Sequence, residues 1–198
     1  MTGREININF GGEFNISNAL AALAVGQVYG VSVEQAADAL QKINSVPGRM
    51  EFVKKQPFNV VVDYAHTPDS LRHVYSELKK ESQRLICVLG AAGGGRDKWK
   101  RPEFGAIADE YCDKVFLTNE DPFEENPDAI VTEVNNGIKN KSKVRIIMDR
   151  REAIQVAMSE AQAGDTVIIT GKGSETSMAI SGGRKIPWSD KKIVLEFQ

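Results

Sequence analysis

The 198-residue chain holds only two cysteines and two histidines, and that scarcity excludes several kinds of chemistry. Cys87, Cys112, His66 and His73 do not show the paired spacing of a zinc site, and no metal ligand is assigned. Cys87 falls in a strand-like run and Cys112 at a helix end; both are read as reduced packing residues of a cytoplasmic protein. Charge of one sign is also lacking. The 25 Lys and Arg against 27 Asp and Glu leave a formal net charge of −2, which argues against a general nucleic-acid binder. No apolar run approaches the roughly 20 residues of a membrane span, and the start is not patterned as a signal peptide. Neither nucleic acid nor membrane is therefore an expected partner. Fixed-period repeats and low-complexity tracts are missing too.

What is present is an alternation. Strand-like runs fall at 51–53, 60–63, 85–89, 114–118, 144–148 and 166–170, and helix-like runs near 70–80, 103–111, 129–137 and 151–161. That order predicts an α/β fold: a Rossmann-like, mostly parallel sheet of about six strands with helices on both faces. Before it, Ile6-Asn7-Ile8-Asn9-Phe10 reads as one strand. An Ala-rich helix follows around 19–25, and a second helix over 33–43 with Ser32 as N-cap. These two helices are short of a domain. Val46-Pro47-Gly48-Arg49-Met50-Glu51 is a linker by composition. The end, Ile193-Val194-Leu195-Glu196-Phe197, fits either a strand or a helix stub.

Polar residues gather at the carboxyl ends of the predicted strands, where parallel α/β sheets bind ligands. Asp63-Tyr64-Ala65-His66 ends one strand and leads into a helix that Thr67 and Ser70 can cap. Gly90-Ala91-Ala92-Gly93-Gly94-Gly95 follows another strand, then Arg96, Lys98, Lys100 and Arg101. The G-x-G-x-x-G order is absent there, as is G-x-x-x-x-G-K-[ST]. The cation cluster reads either as a solvated loop or as an anion site. Glu120-Asp121-Pro122-Phe123 and Gly171-Lys172-Gly173-Ser174-Glu175 complete the rim. Taken locally, Arg49 is a solvated turn arginine, and His66 either caps a helix or touches a ligand.

In combination these stretches resemble the carboxyl-terminal part of the Mur ligases, ATP-dependent amino-acid ligases of peptidoglycan synthesis. The Phe14–Asn18 helix entry, Pro47 to Glu51, Asp63 to Ser70, Arg96 to Pro102 and Gly171 to Glu175 carry the resemblance. It implies that residues 1–46 end a central ATP-binding domain and 47–198 form the last domain. The uridine-nucleotide domain and the phosphate loop would lie outside the chain, so that the chain alone would be inactive. The resemblance further implies ATP and Mg2+ as cofactors, the metal held mainly by the central domain. Asn18 would contact adenine, Arg49 the nucleotide and Asp63 the ribose, with His66 near the phosphates. Arg96 would hold an amino acid's α-carboxylate, and Glu120, Asp121, Gly171 and Glu175 would complete its pocket.

The implied reaction adds the third stem-peptide residue to UDP-MurNAc-L-Ala-D-Glu through an acyl phosphate. Members of the family that add meso-diaminopimelate carry Asp-Asn-Pro-Arg where this chain has Glu120-Asp121-Pro122-Phe123. The lost arginine and the two acids predict lysine or another diamino acid, such as ornithine. Ser174 stands where the family usually has histidine. A folylpolyglutamate- or cyanophycin-type ligase shares Asp63 to His66 and remains an alternative, as does a non-catalytic nucleotide-binding module.

Overall fold

The computed structural model describes residues 5–9, 11–95 and 97–197. Two helices come first, α1 (Glu13–Val28) and α2 (Val33–Gln41). Ser32 caps α2 as its sequence predicts: its hydroxyl accepts the Gln35 N–H, and the Gln35 side chain accepts the Ser32 N–H. Ile16, Leu20, Val25, Val28 and Tyr29 stand exposed on this part. The strand expected over 6–10 is corrected. Residues 6–9 form none, and Phe10 lies outside the described residues. Alternation alone does not make a strand; it needs a neighbour to complete its backbone hydrogen bonds.

Strand and helix then alternate as predicted: β1 (Glu51–Lys54), β2 (Asn59–Asp63), α3 (Pro68–Glu81), β3 (Leu85–Leu89), α4 (Lys100–Tyr111), β4 (Lys114–Leu117), α5 (Pro127–Asn136), β5 (Val144–Ile146), α6 (Arg150–Ser159) and β6 (Thr166–Thr170). Among the described residues these strands form one six-stranded sheet, in the order β1-β2-β6-β3-β4-β5. Only β1 runs antiparallel to its neighbour.

The buried strands sort their side chains by parity. Val61, Cys87, Leu89, Val115, Leu117 and Ile168 join the core under α3, α4 and α5. Val60, Val62, Ile86, Val88, Phe116, Val167 and Ile169 join the core under α6 and a last helix, α7 (Asp190–Glu196). Burial on both faces is why these runs read as continuous apolar stretches. The α7 helix settles the open choice at the chain's end, with Ile193 and Val194 packed into the second core.

Register brings the site together. Asp63 pairs with Thr170, Val88 with Ile169, and Leu89 with Leu117. The loops that leave β2, β3, β4 and β6 therefore emerge along one edge of the sheet.

Two further findings differ from the sequence reading. A hairpin, β7 (Ser177–Ile180) and β8 (Arg184–Pro187), follows β6. Its Gly182-Gly183 turn was the available signal, since Gly-Gly suits the positive φ of tight hairpin turns. Cys87 and Cys112 form a disulfide, correcting the expectation of reduced thiols, with Cα atoms 6.2 Å apart. The pairing joins β3 to the residue that ends α4, a proximity hidden by a sequence separation of 25.

Candidate functional site

The chain entering the domain is pinned rather than loose. Asp63 is buried at the end of β2, and its two carboxylate oxygens accept the Met50 and Ala65 N–H groups, each at 2.7 Å. Burial raises its pKa above the ordinary carboxylate value, while those two N–H groups, Arg49 and His66 pull it back. Gly48 donates to Glu51 and accepts from the Tyr64 N–H. It adopts φ 66°, and a Cβ there would come within 2.2 Å of the Ser174 nitrogen, so glycine is required. The linker read from composition is thus a packed turn buckled to the strand by Asp63.

Arg49 is exposed, with its guanidinium 4.7 Å from the centre of the Tyr64 ring. The His66 Nδ1 lies 2.8 Å from the Tyr64 carbonyl. A carbonyl can only accept, so Nδ1 carries the proton, and in the neutral ring Nε2 is the acceptor. Thr67 and Ser70 cap α3 reciprocally, with Pro68 at its first turn. Asn18 on α1 donates to Asn15. Asn18, Arg49, Asp63 and His66 all line one cavity of about 420 Å³. The fold therefore brings the four nucleotide candidates together.

The other candidates meet on the far side of Tyr64. Glu120, Asp121, Gly171 and Glu175 line a second cavity of about 200 Å³, together with Lys100 and Phe104. Arg96 lies outside the described residues. Glu120 is 5% exposed, and among the described residues its carboxylate has no hydrogen-bond partner. Burial raises its pKa to about 7, opposed chiefly by the Arg150 charge. Two glycines make its space: a Cβ on Gly171 would lie 2.1 Å from the Glu120 Oε2, and one on Gly90 2.7 Å from the Glu120 Cβ.

Asp121 is paired within the protein. Both of its oxygens accept from the Lys172 Nζ, at 2.8 and 2.7 Å, and Oδ1 also takes the Ala179 N–H. Lys172 is buried between its glycines and pairs with Glu175 as well, at 2.5 Å. Burial pushes the Lys172 pKa down, but Asp121 and Glu175 overrule it and leave it raised. Among the described residues Glu120 is the acid of this cavity that makes no ion pair.

Two cations of the cluster after the glycine run, Lys98 and Arg101, are held in ion pairs. Arg101 is buried and donates to Glu125, Glu133 and the Ala92 carbonyl. Lys98 also pairs with Glu125, and the Gly95 N–H donates to it. The Arg101 and Lys98 hydrogen bonds lower the Glu125 pKa to about 2. One half-buried carboxylate thus ties the loop after β3 to the loop after β4.

Residues that local sequence did not single out form the support. Arg150 is buried, doubly bonded to Asp190 and donating to the Thr170 carbonyl at the end of β6. The Trp188 indole also donates to Asp190. No spacing rule links positions 150 and 190; packing does. A third cavity, about 600 Å³, opens between Phe123, Glu175 and the hairpin, with Lys185 on its wall. Among the described residues no group of three or more His, Cys, Asp or Glu could hold a metal ion. Nor is any helix there long and apolar enough to cross a membrane.

The family model described as Mur ligase, glutamate ligase domain, matches residues 48–173. Similar curated proteins include the UDP-N-acetylmuramoyl-L-alanyl-D-glutamate–2,6-diaminopimelate ligase of Coxiella burnetii, 42% identical over 90% of this chain and 37% of that protein. The protein of the same name from Caldanaerobacter subterraneus is 42% identical over 97% of this chain and 40% of its own length. A solved structure under that name is 36% identical, with a TM-score of 0.73, over 97% of this chain and 39% of the other. A pseudomurein peptide ligase from Methanothermus fervidus, at 19% identity and a TM-score of 0.70 over 98% of this chain and 38% of its own, shares the fold. The chain spans 37–40% of the length of those two curated relatives. The match over most of the chain, carried by the same strands whose ends build the rim, makes this chain a member of the Mur ligase family.

Proposed function

We propose that the chain is the carboxyl-terminal part of an ATP-dependent amide ligase that joins a diamino acid to UDP-MurNAc-L-Ala-D-Glu. The observation that carries this reading is the pair of cavities meeting at Tyr64, one lined by Asn18, Arg49, Asp63 and His66, the other by Glu120, Asp121, Gly171 and Glu175. ATP would supply a phosphoryl group that turns a peptide carboxylate into an acyl phosphate, which the amine then attacks. The residues of this chain position the reactants. Arg49 and the His66 Nε2 face the nucleotide side, and the exposed Asn18 offers an amide to a base. Asp63 keeps the turn bearing Arg49 in place while leaving lone pairs for a ribose diol. Glu120 awaits a cation, and a bound ammonium would draw its pKa down and hold it ionised.

On this reading residues 1–46 end a central domain whose remainder covers the exposed apolar residues of α1, and 47–198 are the closing domain. Mg2+ would be held mainly by that remainder. The chain alone would not turn over, and the enzyme would work in the cytoplasm with its own upstream domains as partners.

The amino acid has two readings. Phe123 replaces a cation at the rim and favours lysine or ornithine, whose side chains end in an ammonium alone. The names of the relatives favour 2,6-diaminopimelate, which adds one carboxylate at the same end. Amino-acid-dependent phosphate release by the full-length enzyme, with lysine, ornithine and meso-diaminopimelate in parallel, decides between them. Phosphate release that needs UDP-MurNAc-L-Ala-D-Glu and a diamino acid supports the ligase. Its absence with all three removes the ligase reading, and preference for meso-diaminopimelate removes the lysine one.

A further inference from the structure

The 600 Å³ cavity beside the hairpin is lined by Lys185, whose ammonium has no partner among the described residues. Lys185 stands directly opposite Ala179 across β7 and β8, so both side chains share one face of the ribbon. That face is fixed against the loop after β4: Ala179 donates to Asp121, and Gly182 and Gly183 donate to Glu124. The acids lining the cavity, Asp121 and Glu175, are both held by Lys172. Arg49 lies over the Tyr64 ring. Among the described residues Lys185 has neither ion pair nor hydrogen bond. Ser174, Thr176 and Ser177 add hydroxyl donors to the wall. An anion entering this cavity meets a net positive field and ready donors.

The cavity adjoins the smaller one that contains Glu120. Tyr64, Asp121, Phe123 and Glu175 line both. A carbon held at that partition can present an ammonium to Glu120 on one side and a carboxylate to Lys185 on the other. We propose that Lys185 binds the distal carboxylate of a 2,6-diamino dicarboxylic acid and so sets the choice between such an amino acid and lysine. This rests on the diamino-acid ligase reading above. The hairpin lysine is the cation that Phe123 does not provide, delivered from a different element.

The test compares wild-type, Lys185→Met and Lys185→Arg forms of the full-length enzyme. Methionine keeps the aliphatic length and removes the charge. The expected result is a fall of about tenfold in kcat/KM for meso-diaminopimelate relative to lysine in the methionine variant, carried by KM, with arginine restoring the ratio; tenfold corresponds to about 1.4 kcal/mol. An unchanged ratio in an active enzyme overturns the proposal. So does a KM effect that falls on UDP-MurNAc-L-Ala-D-Glu or on ATP, because the carboxylate or phosphate bound is then theirs. Wild-type enzyme that uses lysine but not meso-diaminopimelate overturns it too. A wild type that releases no phosphate with any amino acid instead removes the ligase reading beneath it.

Discussion

Glu120 shows how a single residue acquires its chemistry from neighbours that do not touch it in sequence. Its ordinary pKa is 4.5, and burial raises it to about 7 in the folded chain. The folded state therefore holds a proton that the unfolded state releases between those values. Its contribution is fully present below pH 4.5 and is lost as pH rises through about 7. Above pH 7 the ionised group costs on the order of 3 kcal/mol, so Glu120→Gln should raise the urea midpoint at pH 8 and leave it nearly unchanged at pH 4.5. Equal shifts at both pH values would refute the buried, unpaired carboxylate. The residue was legible as a candidate because it follows a strand. Its environment was not, because the space it fills comes from Gly90 and Gly171, and the opposing charge comes from Arg150.

At the scale of the element, the hairpin is held by side chains of another loop. Asp121 neutralises the buried Lys172 and anchors the β7 backbone at Ala179. Asp121→Asn leaves a buried ammonium with Glu175 alone and should cost about 3 kcal/mol. The same change should speed amide exchange at Ala179 and Gly182 beyond the global loss, which hydrogen exchange by NMR would measure. Unchanged protection at both amides would mean that the hairpin is held by its own ladder. The regular strands and helices of the sheet were readable to within a few residues, because apolar runs and caps such as Ser32 and Thr67 are local signals. The hairpin escaped for the opposite reason. Arg184 to Pro187 is exposed throughout and its apolar residues do not alternate, so no hydrophobic period marks it.

Across the whole molecule, the disulfide closes a chain segment that carries the glycine-rich loop and α4. Cross-linking residues separated by 25 positions should stabilise by about 3 kcal/mol through the unfolded state. Reductant should lower the denaturation midpoint accordingly, and thiol titration of the unreduced, unfolded chain should find no free thiol. Two titrating thiols would restore the reduced pair expected of a cytoplasmic protein.

The α/β alternation, the strand ends that carry the candidate site, and the family were determined by the sequence alone. Periodicity, capping and motif order are properties of neighbours along the chain. Tertiary structure alone decided which charges are free. It paired Asp121 with Lys172, buried Arg101 and Arg150 in clamps, left Glu120 without an ion pair among the described residues and set Lys185 on a cavity wall. Charge pairing depends on distance and burial, and the parallel sheet makes neighbours of residues 40 to 60 positions apart, such as Arg150 with Asp190 and Asp121 with Ala179.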